Sequence, residues 1–221
     1  MGERGSLKAF CRLLFAAVVA LSSCNPSSGV WKAEMARCEK DTAITSLVFV
    51  KCTSGSNAIV EYYRRDSLGR FRLCREEEGF IGRGGLGKER EGDGCTPEGD
   101  FGAVTAFGIL PDPGTVLPYI DVRESTFACD EEGPYYNTII DTVATEHRCG
   151  GEDMLHCAPM YNYGIALDFN SERIYPLGSA IFFHCKGSNP WTGGCVAVDE
   201  PFMVEILSTC GANPRFCIHG I

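Results

Sequence analysis

A histidine and a cysteine near the C-terminus are the residues in this chain best suited to covalent chemistry. His184 follows the apolar pair Phe182–Phe183, and Cys195 follows the glycine pair Gly193–Gly194. A thiol with a pKa of about 8.5 is mostly protonated at neutral pH, and a nearby imidazolium lowers that pKa. The two glycines let backbone N–H groups approach a developing oxyanion with no Cβ in the way. The pattern predicts a cysteine nucleophile with a histidine base, used in acyl transfer.

Two short strands have to bring these side chains together. Phe182–Phe183 is typical of the end of a buried strand, and Val196–Val198 of the start of another. The loop between them holds the turn-forming residues Gly187, Asn189 and Pro190. Such a strand–loop–strand unit can place the imidazole beside the sulfur. The alternative is a structural cysteine on a tight hairpin, in a chain that has 13 cysteines.

Short strand-like segments separated by glycine-rich turns predict a mainly β fold, a sandwich or barrel with one or two short helices. One helix is expected after Asp199 as its N-cap, with Pro201 in the first turn, and a second near Asn137–Ala144. The buried side of the first helix is predicted to hold Phe202, Val204, Ile206 and Leu207. The predicted strands cover residues 45–52, 58–63, 71–74, 80–82, 102–110, 163–169, 180–183, 195–198 and 216–218.

The N-terminus predicts export. A basic region with Arg4, Lys8 and Arg12 precedes the apolar run 13–21, which is too short to span a bilayer and is typical of a secretory signal. The run ends in Ser22-Ser23-Cys24, which resembles a bacterial lipobox with Cys24 as the lipidated residue; an ordinary signal peptide is the alternative. We therefore expect a signal peptide at 1–23, a tether at 24–40 and one catalytic domain at 41–221. The protein would lie outside the cytoplasmic membrane or in the periplasm, held by a lipid anchor.

Charge and motif spacing exclude several classes of function. Residues 1–23 hold three basic residues and one acidic residue, so the formal charge of −9 becomes −11 without them. This acidic balance argues against nucleic acid and against charge-driven binding to anionic lipid. Gly87-Lys88 lacks the Ser/Thr of a phosphate loop and is followed by acidic residues. The cluster of His147, Cys149, His156 and Cys157 lacks a CxxC pair, so no metal and no cofactor are expected. Export makes disulfides possible, but one sequence does not give their pairing.

Four ordered segments, spread over about residues 45–220, resemble the bacterial L,D-transpeptidase (YkuD-like) catalytic domain. The similarity is greatest to short members that are exported or lipid-anchored. The segments are Gly82–Gly87 with Glu91–Gly94, Thr96-Pro97 and Gly99; Cys129-Asp130 with Pro134–Asn137; Tyr161–Asn170; and Gly178–His184 with Thr192–Val198.

The resemblance implies a role for each matching residue. Cys195 would be the nucleophile, and His184 the base that later protonates the leaving amine. The N–H groups of Gly194 and Cys195 would hold the oxyanion, in a loop shaped by Thr192 and Gly193. Arg83, Tyr161 and Tyr163 are candidate substrate contacts, with core packing or local ion pairing as the alternative.

The resemblance also implies a reaction on peptidoglycan stem peptides. Members of the family cleave an L,D peptide bond before a terminal D-alanine, form a thioester, and pass the acyl group to an amine, giving a 3–3 crosslink. Gly193 and Ala197 depart from a histidine and an arginine common in the larger branch, which leaves L,D-carboxypeptidase activity as an alternative. A silent wall-binding lipoprotein, with Cys195 oxidised to a cysteine such as Cys185, is the alternative from another class. We expect a monomer.

Overall fold

The computed structural model describes residues 28–221. The predicted signal peptide, Cys24 and the start of the predicted tether lie outside these residues. Two α-helices are present, α1 (Ser28–Lys40) and α2 (Glu200–Thr209), with 3₁₀ turns at Met154–Cys157 and Met160–Asn162. The strands are β1 (Ser46–Cys52), β2 (Asn57–Arg65), β3 (Phe71–Phe80), β4 (Gly99–Gly108), β5 (Tyr119–Asp121), β6 (Thr126–Cys129), β7 (Thr138–Asp141), β8 (Glu152–Asp153), β9 (Gly164–Leu167), β10 (Phe182–Cys185), β11 (Val196–Val198) and β12 (Pro214–Gly220).

Eight of the strands form a closed barrel. Their order is β12-β1-β2-β3-β11-β10-β9-β4, and the first half of β4 pairs back with β12. Strand β5 adds to the end of β4 as a ninth member of the sheet. The interior is filled by alternate side chains, among them Val48, Val60, Phe183 and Phe216, all fully buried. The prediction of a mainly β fold with few short helices is confirmed.

A second, smaller sheet covers part of the barrel's outer surface. Its strand order is β7-β6-β8, and a disulfide joins Cys129 at the end of β6 to Cys149. Ala128 and Met154 from this region pack against Phe107 and Phe182 on the outside of the barrel. This packing creates a second apolar layer, and the predicted nucleophile loop lies at its edge.

The helix after Asp199 is confirmed, and its first turn is closed by the N–H groups of Phe202 and Met203, which donate to the Asp199 carbonyl at 3.0 Å. As predicted, Phe202, Ile206 and Leu207 lie on its buried face. Val204, also predicted there, is only half-buried, and Met203 is buried instead. The helix predicted near 137–144 is wrong, because β7 pairs there with β6 as an antiparallel strand. Asn137 just before it has a φ of 56°, in the left-handed region, which no helix continues.

Helix α1 covers most of the segment that was expected to be a tether. Its Trp31 is 6% exposed and packs on Phe49 of β1 with ring centroids 4.9 Å apart, while Cys38 is fully buried. From Ser28 onward, therefore, this segment packs on the barrel. Within residues 28–221, no helix is long and apolar enough to cross a membrane.

Candidate active site

Strands β10 and β11 are parallel neighbours in the barrel, not the two arms of a hairpin. Their register pairs His184 with Ala197 and Phe183 with Val196. Side chains alternate along β10, so Phe183 and Cys185 point into the barrel core while Phe182 joins the outer apolar layer. His184 lies on the same side as Phe182, under the smaller sheet.

One cavity of about 280 Å³ contains both predicted catalytic side chains, His184 and Cys195. Of the other predicted site residues, the structure brings Tyr161, Thr192, Gly193 and Gly194 to the same cavity. The remaining lining includes Lys88, Glu91, Asp130, Glu152, Trp191 and Ala197.

Two predicted substrate contacts do not line this cavity. Arg83 is exposed, and its guanidinium lies over the outer face of Trp191, 5.7 Å from the ring centroid. Tyr163 is half-buried and packs against the barrel core. Tyr161, by contrast, is 4% exposed and meets the His184 ring edge-on, with centroids 5.4 Å apart. Of the three candidates, Tyr161 is the one that can contact a bound molecule beside His184.

The Cys195 thiol is held by backbone groups in a buried position. Its Sγ donates to the Ala180 carbonyl at 3.2 Å and accepts from the Phe182 N–H at 3.3 Å. Burial raises the pKa of Cys195 to about 12; Glu152 raises it further, and the Phe182 N–H and the Lys88 ammonium lower it. The resting group is therefore a thiol, because desolvation outweighs the favourable contacts.

His184 is fixed in one tautomer. Its Nδ1 lies 2.7 Å from the Cys185 carbonyl oxygen, which can only accept, so Nδ1 carries the proton and Nε2 is the basic nitrogen. Burial lowers the pKa of His184 to about 4, while the bond to Cys185 opposes this shift. The cavity thus holds a neutral imidazole and a neutral thiol, where the sequence had suggested an imidazolium that lowers the thiol pKa.

Thr192 closes the nucleophile loop. Its buried Oγ1 donates to the Cys195 carbonyl at 2.6 Å and accepts from the Gly194 N–H at 3.1 Å. The Gly194 N–H, expected to bind an oxyanion, is therefore already engaged. Within the described residues neither the Gly193 N–H nor the Cys195 N–H makes a hydrogen bond, so both are backbone donors that this loop leaves for a ligand.

The glycine-rich segment lies behind this loop as a brace. The Thr192 N–H donates to the Ile81 carbonyl at 2.9 Å, and the Arg83 N–H donates to the Thr192 carbonyl at 3.0 Å. Gly82 is necessary here, since a Cβ would lie 2.3 Å from the Gly94 carbonyl oxygen. The segment that fails as a phosphate loop thus positions the nucleophile loop.

Three carboxylates and one lysine line the cavity, and no sequence pattern marks them as a group. Burial raises the pKa of Glu152, and the charges of Asp130 and Glu91 raise it further. Glu91 accepts from the Tyr136 hydroxyl at 2.6 Å and the Ser179 hydroxyl at 2.8 Å. Lys88 is the only lysine or arginine in the cavity lining of the described chain. These groups meet through long-range packing of separate loops, which local spacing does not reveal.

The cysteines take three different roles. Cys129 and Cys149 form a disulfide, so Cys149 is not available to the cluster considered for a metal. Cys195 and Cys185 are both free thiols, and they face opposite sides of β10. In residues 28–221, the one group that could hold a metal is Glu34, Cys38 and Cys217, whose ligand atoms lie within 4.8 Å of one another.

Comparisons with known proteins identify no family for this chain. No family model matches it, and no curated protein matches it. A solved structure of a mutant of the helical cell shape determining protein Pgp2 from Campylobacter jejuni is similar over 80% of this chain, with 15% identity and a TM-score of 0.40. The match spans about half of that protein, 48% of its length. A likeness of this size carries no functional conclusion.

Proposed function

We propose that the protein is a cysteine-dependent L,D-transpeptidase that acts on peptidoglycan stem peptides. The observation that carries the proposal is the shared cavity of His184 and Cys195, in which the Cys185 carbonyl holds the imidazole with Nε2 as its base. A nucleophile, a base with a fixed tautomer and a free backbone N–H are the parts that acyl transfer needs. The ordered segments that resemble the L,D-transpeptidase family support the same reaction.

The reaction starts from the neutral pair. Cys195 Sγ attacks the carbonyl carbon of the L,D peptide bond and gives its proton to His184 Nε2. The oxyanion accepts from the Cys195 N–H and then collapses, breaking the C–N bond. His184 returns its proton to the departing D-alanine amine, and a thioester remains on Cys195. An acceptor amine attacks the thioester, loses a proton through His184, and releases the thiol.

The charge in the cavity supports an amine-bearing substrate. Three carboxylates line the cavity, those of Glu91, Asp130 and Glu152, and the lining has a single lysine, Lys88. Carboxylates in a partly desolvated site attract an ammonium group more strongly than they do in water. A stem peptide with a diamino acid carries such a group, both as acyl donor and as acceptor.

Hydrolysis is the second candidate, and Ala197 favours it. This small residue lines the cavity directly opposite His184 in the β10–β11 register. It offers no charged group to hold an incoming stem, so water can reach the thioester in competition with the amine. The product would then be a tripeptide and free D-alanine. The silent wall-binding alternative is disfavoured, because Cys185 lies in the barrel core and Cys195 in the outer apolar layer, which separates the two sulfurs.

Intact-mass analysis with a disaccharide-tetrapeptide separates these functions. The purified chain should gain a tripeptide acyl adduct on Cys195 and yield 3–3 dimers with release of D-alanine. Adduct and D-alanine without dimers would assign L,D-carboxypeptidase activity. Cys195→Ser should form no adduct, whereas the control Cys185→Ser should still form it, because Cys185 faces the barrel core. Neither adduct nor D-alanine from the reduced protein would exclude both enzymatic functions.

An exported, lipid-anchored location fits this activity, since peptidoglycan lies outside the cytoplasm. The Cys129–Cys149 disulfide supports export, because disulfides persist in oxidising compartments. We propose Cys24 as the lipidated residue. Cys24→Ala should move the protein from the membrane fraction to the soluble fraction; unchanged fractionation would contradict the anchor.

A further inference from the structure

The side chain of Lys88 is buried beside the nucleophile loop. It is 3% exposed, although lysine is rarely buried without a paired charge. Two glycines leave room for it: a Cβ at Gly178 would lie 2.3 Å from its Cε, and a Cβ at Gly194 would lie 3.6 Å from its Nζ. The ammonium therefore lies next to Gly194, the residue before the nucleophile.

Asp93 holds this ammonium in place. Its Oδ1 lies 3.1 Å from Lys88 Nζ, and the N–H groups of Glu89, Arg90 and Cys95 donate to the same carboxylate at 2.8–3.0 Å. Burial raises the pKa of Asp93, but these N–H groups and Lys88 together hold it well below its usual range. Lys88 thus has a permanently ionised anchor that is itself fixed by backbone groups.

One N–H of the ammonium is left for the cavity. Lys88 donates to Asp93 and, at 3.4 Å, to the Arg90 carbonyl, whereas a lysine ammonium has three N–H donors. Lys88 also lines the cavity that contains Cys195. A preorganised donor in a desolvated site is the arrangement that stabilises developing negative charge.

We infer that Lys88 is a catalytic residue, whose ammonium donates to the oxyanion alongside the Cys195 N–H and stabilises the Cys195 thiolate during attack. The role of Lys88 toward the oxyanion rests on the proposed function, whereas its role toward the thiolate does not. The ammonium takes the role that the Gly194 N–H cannot fill, because that N–H already donates to Thr192. The charged and titratable groups that share the cavity with the thiol are Lys88, Glu91, Asp130, Glu152, Tyr161 and His184. Among them Glu152 disfavours a negative sulfur, and the Lys88 ammonium opposes it.

Two substitutions in the full chain test this role. Lys88→Gln keeps an N–H donor for Asp93 and removes the charge, and Lys88→Arg keeps the charge. The rate of Cys195 alkylation by neutral iodoacetamide and by anionic iodoacetate is followed from pH 6 to 10, with the labelled peptide identified by mass. Because the thiol pKa lies above this pH range, the alkylation rate at each pH follows the thiolate fraction, and Lys88→Gln should lower that rate about tenfold or more. It should also lower the iodoacetate-to-iodoacetamide rate ratio about tenfold, and Lys88→Arg should retain most of the wild-type ratio.

Acylation by the tetrapeptide gives the second readout. Loss of one oxyanion donor should slow single-turnover acylation by Lys88→Gln about 100-fold, with a smaller loss in Lys88→Arg. A folded Lys88→Gln variant with an unchanged rate ratio and an unchanged alkylation rate would reduce Lys88 to a structural ion pair and overturn the inference. Because alkylation needs no stem peptide, this result does not depend on whether the proposed function is right.

Discussion

The Nδ1 of His184 lies 2.7 Å from the carbonyl oxygen of its own neighbour, Cys185. The bond leaves Nε2 as the basic nitrogen and does not depend on a carboxylate partner. Burial nevertheless dominates and lowers the pKa of His184 to about 4. A base of this kind is neutral throughout the physiological range, so its Nε2 is in the proton-accepting form there.

The depressed pKa of His184 predicts a loss of stability in acid. Between its unfolded pKa of about 6.5 and its folded pKa of about 4, the unfolded chain binds more protons than the folded one. The free energy of unfolding should therefore fall as pH drops through this window, by roughly 2–3 kcal/mol from this residue. Urea unfolding at pH 7 and pH 4 measures the difference. His184→Gln should lose this part of the decline, and parallel pH curves for the two proteins would contradict the assignment.

The Thr192 hydroxyl should contribute more to stability and to the acylation rate than the Thr192 methyl group. Thr192→Val keeps the shape but leaves the Gly194 N–H and the Cys195 carbonyl without this partner. An unsatisfied buried polar group costs about 1–3 kcal/mol, and the loop that carries the nucleophile would loosen. Urea denaturation and the rate of acylation should both report the defect. Thr192→Ser retains the hydroxyl and serves as the control; a Thr192→Ser variant as impaired as Thr192→Val would contradict a dominant role for the hydroxyl.

Reducing the Cys129–Cys149 disulfide should affect the smaller sheet more than the barrel. The bond closes a loop across 20 residues, and loops of this size are stabilised by about 3 kcal/mol in the chain-entropy estimate. Hydrogen exchange should speed up in β6 and β7 of Cys149→Ser, while β1 and β2 stay protected. Acylation should weaken as well, since Asp130 and Glu152 of this sheet line the cavity. Cys74→Ser, at an exposed free thiol, is the control. Uniform loss of protection across the chain would contradict a local effect.

The sequence was sufficient to predict features formed by residues close together in the chain. His184 and Cys195 are joined by one short loop, and the Asp199 helix follows from a cap, a proline and an apolar face. The sequence did not predict Lys88, which shares the cavity with Cys195 only because the glycine-rich segment folds back behind the nucleophile loop. The sequence also predicted a helix at β7, because the apolar residues of a short segment fit the period of a helix as well as that of a strand. Pairing with β6 makes this segment a strand.

The two glycines before Cys195 should respond oppositely to an added methyl group. A Cβ at Gly193 would have no heavy atom within 4 Å. At Gly194 it would lie 2.9 Å from the Cys95 carbonyl oxygen, and the backbone there has a φ of +148°, which residues with a side chain rarely adopt. Because the clashing atom of Cys95 is a backbone oxygen, turning a flexible side chain cannot relieve the clash. Gly194→Ala must therefore shift the backbone that carries the nucleophile.

Comparison of Gly193→Ala with Gly194→Ala separates the effect of backbone strain from the effect of an added methyl group. Gly193→Ala should keep the wild-type melting temperature and alkylate at Cys195 with a nearly normal rate. Gly194→Ala should be destabilised by about 1–3 kcal/mol and acylate at least tenfold more slowly, because a strained backbone displaces both Sγ and the Cys195 N–H. Thermal melts and single-turnover acylation, run side by side, measure the two effects. If Gly193→Ala is the more damaged variant, open space beside Gly193 rather than the Gly194 backbone geometry is the feature that the site requires.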